Sequence, residues 1–207
     1  MTSSLKKTAV TGLIWSAIER FSVQGTQFIV TIILARLISP EDFGLIGMIT
    51  VFIALSDLII NGGFSQALIQ KKQRTQDDFS TVFYFNVLMA VFIYCLIYLL
   101  APYVAKFYNQ MSLIDILRIL AISVILKSFC VVQNAILSIK LNFKLRTKIN
   151  LLSALLSGTV AIYMAYKGLG VYALIYQTII FSVLVSIFSF TFIRWFPSLR
   201  FSFYSLS

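Results

Sequence analysis

The chain has 207 residues, of which 59% are hydrophobic and only 12% charged, with a mean hydropathy of +0.93. Soluble domains carry about 25% charged and about 45–50% apolar residues, so this composition excludes a water-soluble globule; high hydrophobicity with little charge also excludes a disordered chain. Lys and Arg number 17 against 7 acids, a formal charge of +10, and because the basic residues fall between apolar runs they point to membrane orientation rather than to nucleic acid.

Histidine is absent, which removes the usual general base and the commonest metal ligand. Cys95 and Cys130 both lie inside apolar runs and make neither a CxxC pair nor a disulfide framework. No metal or cofactor is expected. At about 20 residues per transmembrane helix, the length accommodates six crossings. The expected fold is all-α: one six-helix transmembrane bundle over residues 1–207, with spans near 12–38, 43–70, 79–105, 112–138, 148–167 and 170–193.

The first segment carries Ser16, Arg20, Gln24, Gln27 and Thr31 at steps of three and four, one polar stripe on a helix. Glu19 and Arg20 interrupt its apolar run, so it lacks the pattern of a cleavable signal peptide. Counted from Phe21 to Ile38 the span still crosses, which leaves both residues at the interface; Arg20 inside a cavity is the other reading. Ser39-Pro40-Glu41-Asp42 then offers an N-cap, a first-turn proline and an acid at the third position.

Asp57 splits the second segment into arms too short to span alone, and it shares a face with Thr50, Asn61 and Ser65. Gly62-Gly63 would loosen the helix just beyond it. Thr75-Gln76-Asp77-Asp78 repeats the cap-and-acid arrangement before Phe79–Ala105, a stretch without a charge. In the fourth segment Lys127 is central, on a face with Ser123, Cys130, Asn134 and Ser138, while Arg118 lies one turn after Asp115 as an i,i+3 pair. Lys167-Gly168-Leu169-Gly170 marks a tight turn between the last two segments.

Alternate loops share the cations unequally. One side receives Lys6, Lys7, Lys71, Lys72, Arg74, Lys140, Lys144, Arg146, Lys148, Arg194 and Arg200; the other receives only Arg36, Lys106 and Lys167. Eleven against three places both termini in the cytoplasm. Trp15 and Trp195 then fall near inner ends, and Tyr103, Tyr108 and Tyr172 near outer ends, as interfacial belts do. The cluster Lys71–Arg74 is assigned to topology and anionic-lipid contact.

A charge at mid-membrane costs about 2.5–3.5 kcal/mol on insertion scales, so such groups face a bundle interior or a wet cavity. Three polar-faced helices with net positive charge suit an anionic substrate such as a phosphate-bearing lipid head group or an organic anion. The competing reading is that Asp57 and Lys127 neutralise each other in packing and that the Ser, Asn and Gln stripes are interhelical glue. No acid/base pair, nucleophile with its base, or phosphate-cradling glycine loop is apparent, which favours transport over an enzyme.

Several stretches carry a resemblance. They include Thr11–Ser16, Glu19-Arg20-Phe21, Gln24-Gly25, Gln27-Phe28 and Leu34–Met48, with its LARLISPEDFG core. Others are Gly63–Ile69, Asp78–Asn86, Ala105–Tyr108 and Gly170–Leu174. Over essentially its whole length the chain resembles Wzx-type polysaccharide flippases, most of all the colanic-acid exporter branch, within the superfamily that also holds the multidrug (MATE) exporters.

The resemblance implies translocation of undecaprenyl-pyrophosphate-linked oligosaccharide across the bacterial inner membrane by alternating access between two lobes. It assigns Arg20 and Lys127 to the pyrophosphate, and Gln24, Gln27, Asn61 and Asn134 to the substrate's polar groups. Asp57 and Glu19 would balance charge or couple an ion. Implied partners are the lipid-linked substrate, membrane lipids, a second lobe or homodimer partner, and the polymerase and chain-length proteins of polysaccharide assembly. Family members have two such lobes, so six spans are expected to be the N-terminal one: a truncated product, part of a split protein, or a half-transporter. Two further functions stay open, an ion- or proton-coupled small-molecule exporter and a structural partner in an assembly complex.

Overall fold

A computed structural model describes residues 2–62, 64–71 and 74–198, and the side chains of 14–60, 66–71 and 74–198. The fold is all-α. Its helices run in order α1 (Thr2–Leu37), α2 (Pro40–Gly62), α3 (Phe64–Gln70), α4 (Gln76–Phe107), α5 (Leu113–Ser128), α6 (Val131–Ile139), α7 (Phe143–Tyr166) and α8 (Val171–Ile193). Four are long and apolar enough to cross a membrane by length and composition: α2 over Pro40–Ile60, α4, α7 and α8. The chain is therefore a polytopic membrane protein.

The expected segments one, three, five and six become α1, α4, α7 and α8. Two of their boundaries shift. Helix α1 already starts at Thr2, and α7 starts at Phe143 because Asn142 caps it, its side-chain oxygen accepting from Leu145 N–H at 3.2 Å. Segments two and four are not single helices. The second divides into α2 and α3 at the Gly62-Gly63 pair, of which Gly63 lies outside the described residues.

The fourth divides at Phe129-Cys130, with nothing helix-breaking in its sequence. There Cys130 N–H bonds Lys127 O at 3.0 Å instead of reaching back four residues. The carbonyl so freed, Leu126 O, accepts from Ser186 Oγ of α8 at 3.0 Å, and Cys130 Sγ lies 3.1 Å from the same hydroxyl. A break at membrane depth persists only where neighbours satisfy the released backbone groups, and Ser186 does so here.

Three apolar cores follow from this division. Ile49, Ile53 and Ile60 of α2 pack with the carboxyl half of α4, with α5, and with Val171 and Ile175 of α8. Leu68 of α3, Val82 and Phe83 of α4, and Val132, Ala135 and Ile136 of α6 form a second core. Thus α2 packs on α5 and α3 packs on α6, so each broken helix divides between the two cores, with Val131 at the start of α6 still in the first. The third core joins Val30, Leu34 and Ile38 of α1 to Ala161 and Ala165 of α7 and Ala173 of α8.

Helix α7 meets α1 along small residues, Gly158, Ala161 and Ala165, which let backbones approach closely. A Cβ on Gly158 would lie 2.6 Å from Val30 Cγ2. The corner signals behave as their sequences indicate. Ser39 Oγ accepts from Asp42 N–H at 3.2 Å. Thr75 and Asp78 form a reciprocal capping box, with Asp78 N–H to Thr75 Oγ1 at 3.3 Å and Thr75 N–H to Asp78 Oδ2 at 2.9 Å. Gly168 and Gly170 take φ of 79° and 53° in the last turn, the left-handed region open to glycine. Leu141 adopts φ 52° after α6, at a steric cost that Asn and Gly largely avoid.

Candidate functional site

Asp57 sits in the penultimate turn of α2 and Lys127 in the last turn of α5. Their ends meet: Lys127 Nζ donates to Asp57 Oδ2 at 2.7 Å, an ion pair whose side chains remain 31% and 32% exposed. The pair lies beside both helix breaks, where the two apolar cores part. Two charges a third open to the outside are poorly placed against lipid, so this edge of the α2–α5 contact calls for a polar neighbour. Both expected mid-membrane charges are therefore brought together, in the mutually neutralising geometry.

The polar faces around them divide. Thr50 returns its hydroxyl to Ile46 O at 2.8 Å and lines a cavity of about 130 Å³ with Ile46, Ile53, Leu120 and Thr178. Ser123 is fully buried and bonds Leu120 O at 2.7 Å. Asn134 is half-buried on α6, one turn past Cys130, and its carbonyl accepts from Ser138 Oγ at 2.9 Å. The side chains of Asn61 and Ser65 lie outside the described residues.

The stripe on α1 lies elsewhere. Helix α1 packs on α7, not along α2 or α5. Gln24, Gln27 and Thr31, with Phe21, Gly25 and Phe28, line an open groove of about 460 Å³, and Arg20 is exposed one turn before it. The described lining of that groove comes from α1 alone, so the three polar faces do not enclose one common cavity here.

Glu19 is turned inward. At 8% exposure it accepts from Asn150 Nδ2 at 2.7 Å and pairs with Arg146 Nε at 3.1 Å, both on α7. Its neighbour Trp15 carries Lys144 Nζ 5.5 Å above its ring, and its own carbonyl oxygen faces Thr147 Oγ1 at 3.4 Å. Reading along α1 alone misses these partners. The signal was Arg146 and Asn150 at i,i+4 on α7, with a basic group suited to a buried carboxylate.

Other assignments change with the contacts. Arg118 stacks on Tyr98, its guanidinium carbon 4.0 Å from the ring centroid, and makes no ion pair with Asp115 among the described residues. Lys71 pairs with buried Asp78 at 2.8 Å, and Arg74 caps the end of α3 through Leu68 O at 2.9 Å and Ile69 O at 2.6 Å. These two cations of the Lys71–Arg74 cluster bond within the α3–α4 connection, and Lys72 lies outside the described residues. Trp195 packs edge-on to Phe79 and Phe83 and donates to Gln76 Oε1 at 3.0 Å, which anchors it on α4.

A membrane bundle with a paired acid and base between α2 and α5 leaves many protein classes open; comparison with known sequences narrows them. Residues 33–207 match the family described as polysaccharide biosynthesis protein. The chain belongs to that family. Asp57, Asn61, Lys127 and Asn134 fall within the matched region, whereas Glu19, Arg20, Gln24 and Gln27 precede it.

Among the relatives of this chain is the succinoglycan biosynthesis transport protein ExoT of Rhizobium meliloti. It is 24% identical over 171 residues, 83% of this chain and 35% of ExoT. The teichuronic acid biosynthesis protein TuaB of Bacillus subtilis is 26% identical over 154 residues, 74% of this chain and 32% of TuaB. The lipopolysaccharide biosynthesis protein WzxC of Escherichia coli is 27% identical over 120 residues, 58% of this chain and 24% of WzxC. The chain spans about a third of the length of the curated relatives it matches. No solved structure matches it.

Proposed function

We propose that this chain is the N-terminal lobe of a polysaccharide exporter that carries undecaprenyl-pyrophosphate-linked oligosaccharide across the bacterial inner membrane by alternating access. Lys127 holds the pyrophosphate in this reading, and Asp57 keeps the ammonium neutralised when the site is empty. Arg20 supplies a second cation, and Gln24, Gln27, Asn61 and Asn134 meet hydroxyls of the glycan. Glu19 is already bound to α7, which leaves Asp57 as the carboxylate available for charge balance or ion coupling. The action is transport, not catalysis.

Counting α1, and α5 with α6, as crossings besides α2, α4, α7 and α8 gives six spans in one bundle. The eleven-to-three division of cations supports cytoplasmic ends.

The observation that carries the reading is the Asp57–Lys127 pair, one-third exposed between two interrupted helices. The Lys127 ammonium is already stripped of most of its water, so its own desolvation adds little to the cost of exchanging a carboxylate for a phosphate. The named relatives, one of them a transport protein by title, supply the polysaccharide context.

The test is ligand binding by the purified chain in nanodiscs. Undecaprenyl pyrophosphate should bind, and Lys127→Gln should weaken it on the order of tenfold, the loss of one charge-assisted hydrogen bond. Equal binding of uncharged undecaprenol, or no effect of Lys127→Gln, refutes the reading.

A further inference from the structure

The turn that joins α5 to α6 is held through three carbonyls in succession. Ile125 O accepts from Ser128 Oγ at 2.7 Å, Leu126 O from Ser186 Oγ at 3.0 Å, and Lys127 O from Cys130 N–H at 3.0 Å. The outer two bonds are made within the turn, but the middle one comes from α8. Ser186 has a single hydroxyl proton and gives it to Leu126 O, so the 3.1 Å contact with Cys130 Sγ has the thiol as donor. The Ser186 hydroxyl is thus donor and acceptor across the break.

Lys127 occupies this same turn. Its carbonyl is one of the three, and its Nζ reaches Asp57 of α2 at 2.7 Å. Leu120, Ala121 and Val124 hold α5 in the first core, and Val132, Ala135 and Ile136 hold α6 in the second. Between those anchors the winding depends on which donor Leu126 O receives. Its ordinary helical donor is Cys130 N–H, four residues on. With Ser186 in that place, Cys130 N–H goes to Lys127 O, a tighter step of three residues. Helix α5 then ends at Ser128, one residue past Lys127, where the negative end of the helix dipole favours a cation.

We propose that Ser186 is a positioning residue for Lys127: its hydroxyl keeps the turn wound so that the ammonium meets Asp57. Without that hydroxyl Leu126 O loses its donor, which a membrane bundle does not tolerate, and Cys130 N–H returns to it. The chain then runs on as one helix through Lys127, and the helix end beside the ammonium is gone. Rewinding from three residues per turn to 3.6 rotates each step by about 20°, which carries the Lys127 side chain away from α2. A role in transport rests on the proposed contact of Lys127 with pyrophosphate; the positioning itself does not.

The experiment is a double-mutant cycle read in four backgrounds: the intact protein, Ser186→Ala, Ser186→Thr and Cys130→Ala. In each, Asp57→Asn, Lys127→Met and the two together are unfolded reversibly in mixed micelles. The coupling is the factor by which the two effects on the unfolding constant fail to multiply. In the intact protein it should be about thirtyfold, equivalent to about 2 kcal/mol. In Ser186→Ala it should fall to about twofold, the limit of additivity. Ser186→Thr keeps the hydroxyl and should keep the coupling. Cys130→Ala disturbs the same turn but leaves Ser186 on Leu126 O, and it should keep the coupling as well. A serine that only packed α8 on α5 would lower the stability of every variant alike and leave the factor untouched. An undiminished factor in Ser186→Ala therefore overturns the proposal. So does an absent coupling in the intact protein, or a loss in Ser186→Thr or Cys130→Ala equal to that in Ser186→Ala. If the factor collapses in Ser186→Ala while undecaprenyl pyrophosphate binds as before, the positioning stands and the reading of Lys127 as the pyrophosphate contact falls.

Discussion

Removing both charges of the Asp57–Lys127 pair should cost less than the losses of the two single removals added together. Lys127→Met leaves a carboxylate partly buried without its ammonium, and Asp57→Asn does the converse. For charges about 4 Å apart at an effective dielectric of about 20, the attraction is about 4 kcal/mol. Breaking a fully buried pair costs about 3–5 kcal/mol. Side chains about one-third exposed recover part of this by hydration, so each single variant should lose about 2–3 kcal/mol. In the double variant neither charge needs compensation, and its loss should fall short of the sum by about 2 kcal/mol. The assay is reversible unfolding in mixed micelles, followed by the fluorescence of Trp15 and Trp195, on the wild type and all three variants. Additivity within about 0.5 kcal/mol would mean that the two groups do not interact, and the geometry described for them would be wrong.

Three further outcomes follow from local contacts. Gly158→Ala places a methyl against Val30 and should destabilise by about 1–3 kcal/mol, with Val30→Ala restoring most of the loss; unfolding of the pair of variants decides it. Asp78→Ala removes both a capping-box member and the partner of Lys71, and should cost about 1–2 kcal/mol, visible as faster proteolysis between α3 and α4. Leu141→Gly should stabilise by about 1 kcal/mol, because the residue at φ 52° no longer places a Cβ in a left-handed turn; a lower unfolding midpoint would contradict this.

Charge spacing and turn chemistry made the two corners at Ser39 and Thr75 and the glycine turn before α8 legible from the residues alone, while the pairing of Asp57 with Lys127 stood as the competing reading to a shared polar cavity. The corners and the turn are local features. The break at Cys130 was not legible, because its cause is a serine 56 residues away and the stretch itself is continuous and apolar. The inward turn of Glu19 was likewise hidden, since only α7 decides which face of α1 is covered. Arg118 illustrates the limit of spacing rules: an acid one turn away counted for less than the ring of Tyr98 on the adjacent α4. The α1 stripe was legible as a stripe, yet periodicity could not say that α7 would hold the helix apart from α2 and α5.

The docking of α1 on α7 also sets a clock. Glu19 and Asn150 are 131 residues apart, and a ribosome adding about 5–20 residues per second needs about 7–26 s to deliver one after the other. For that interval the first helix has neither its hydrogen-bond partners nor the small-residue face that covers Val30 and Leu34. Assembly is thus closed from the far end: the helix made first is among the last to be seated, and a chain stopped before Phe143 leaves it with nowhere to go.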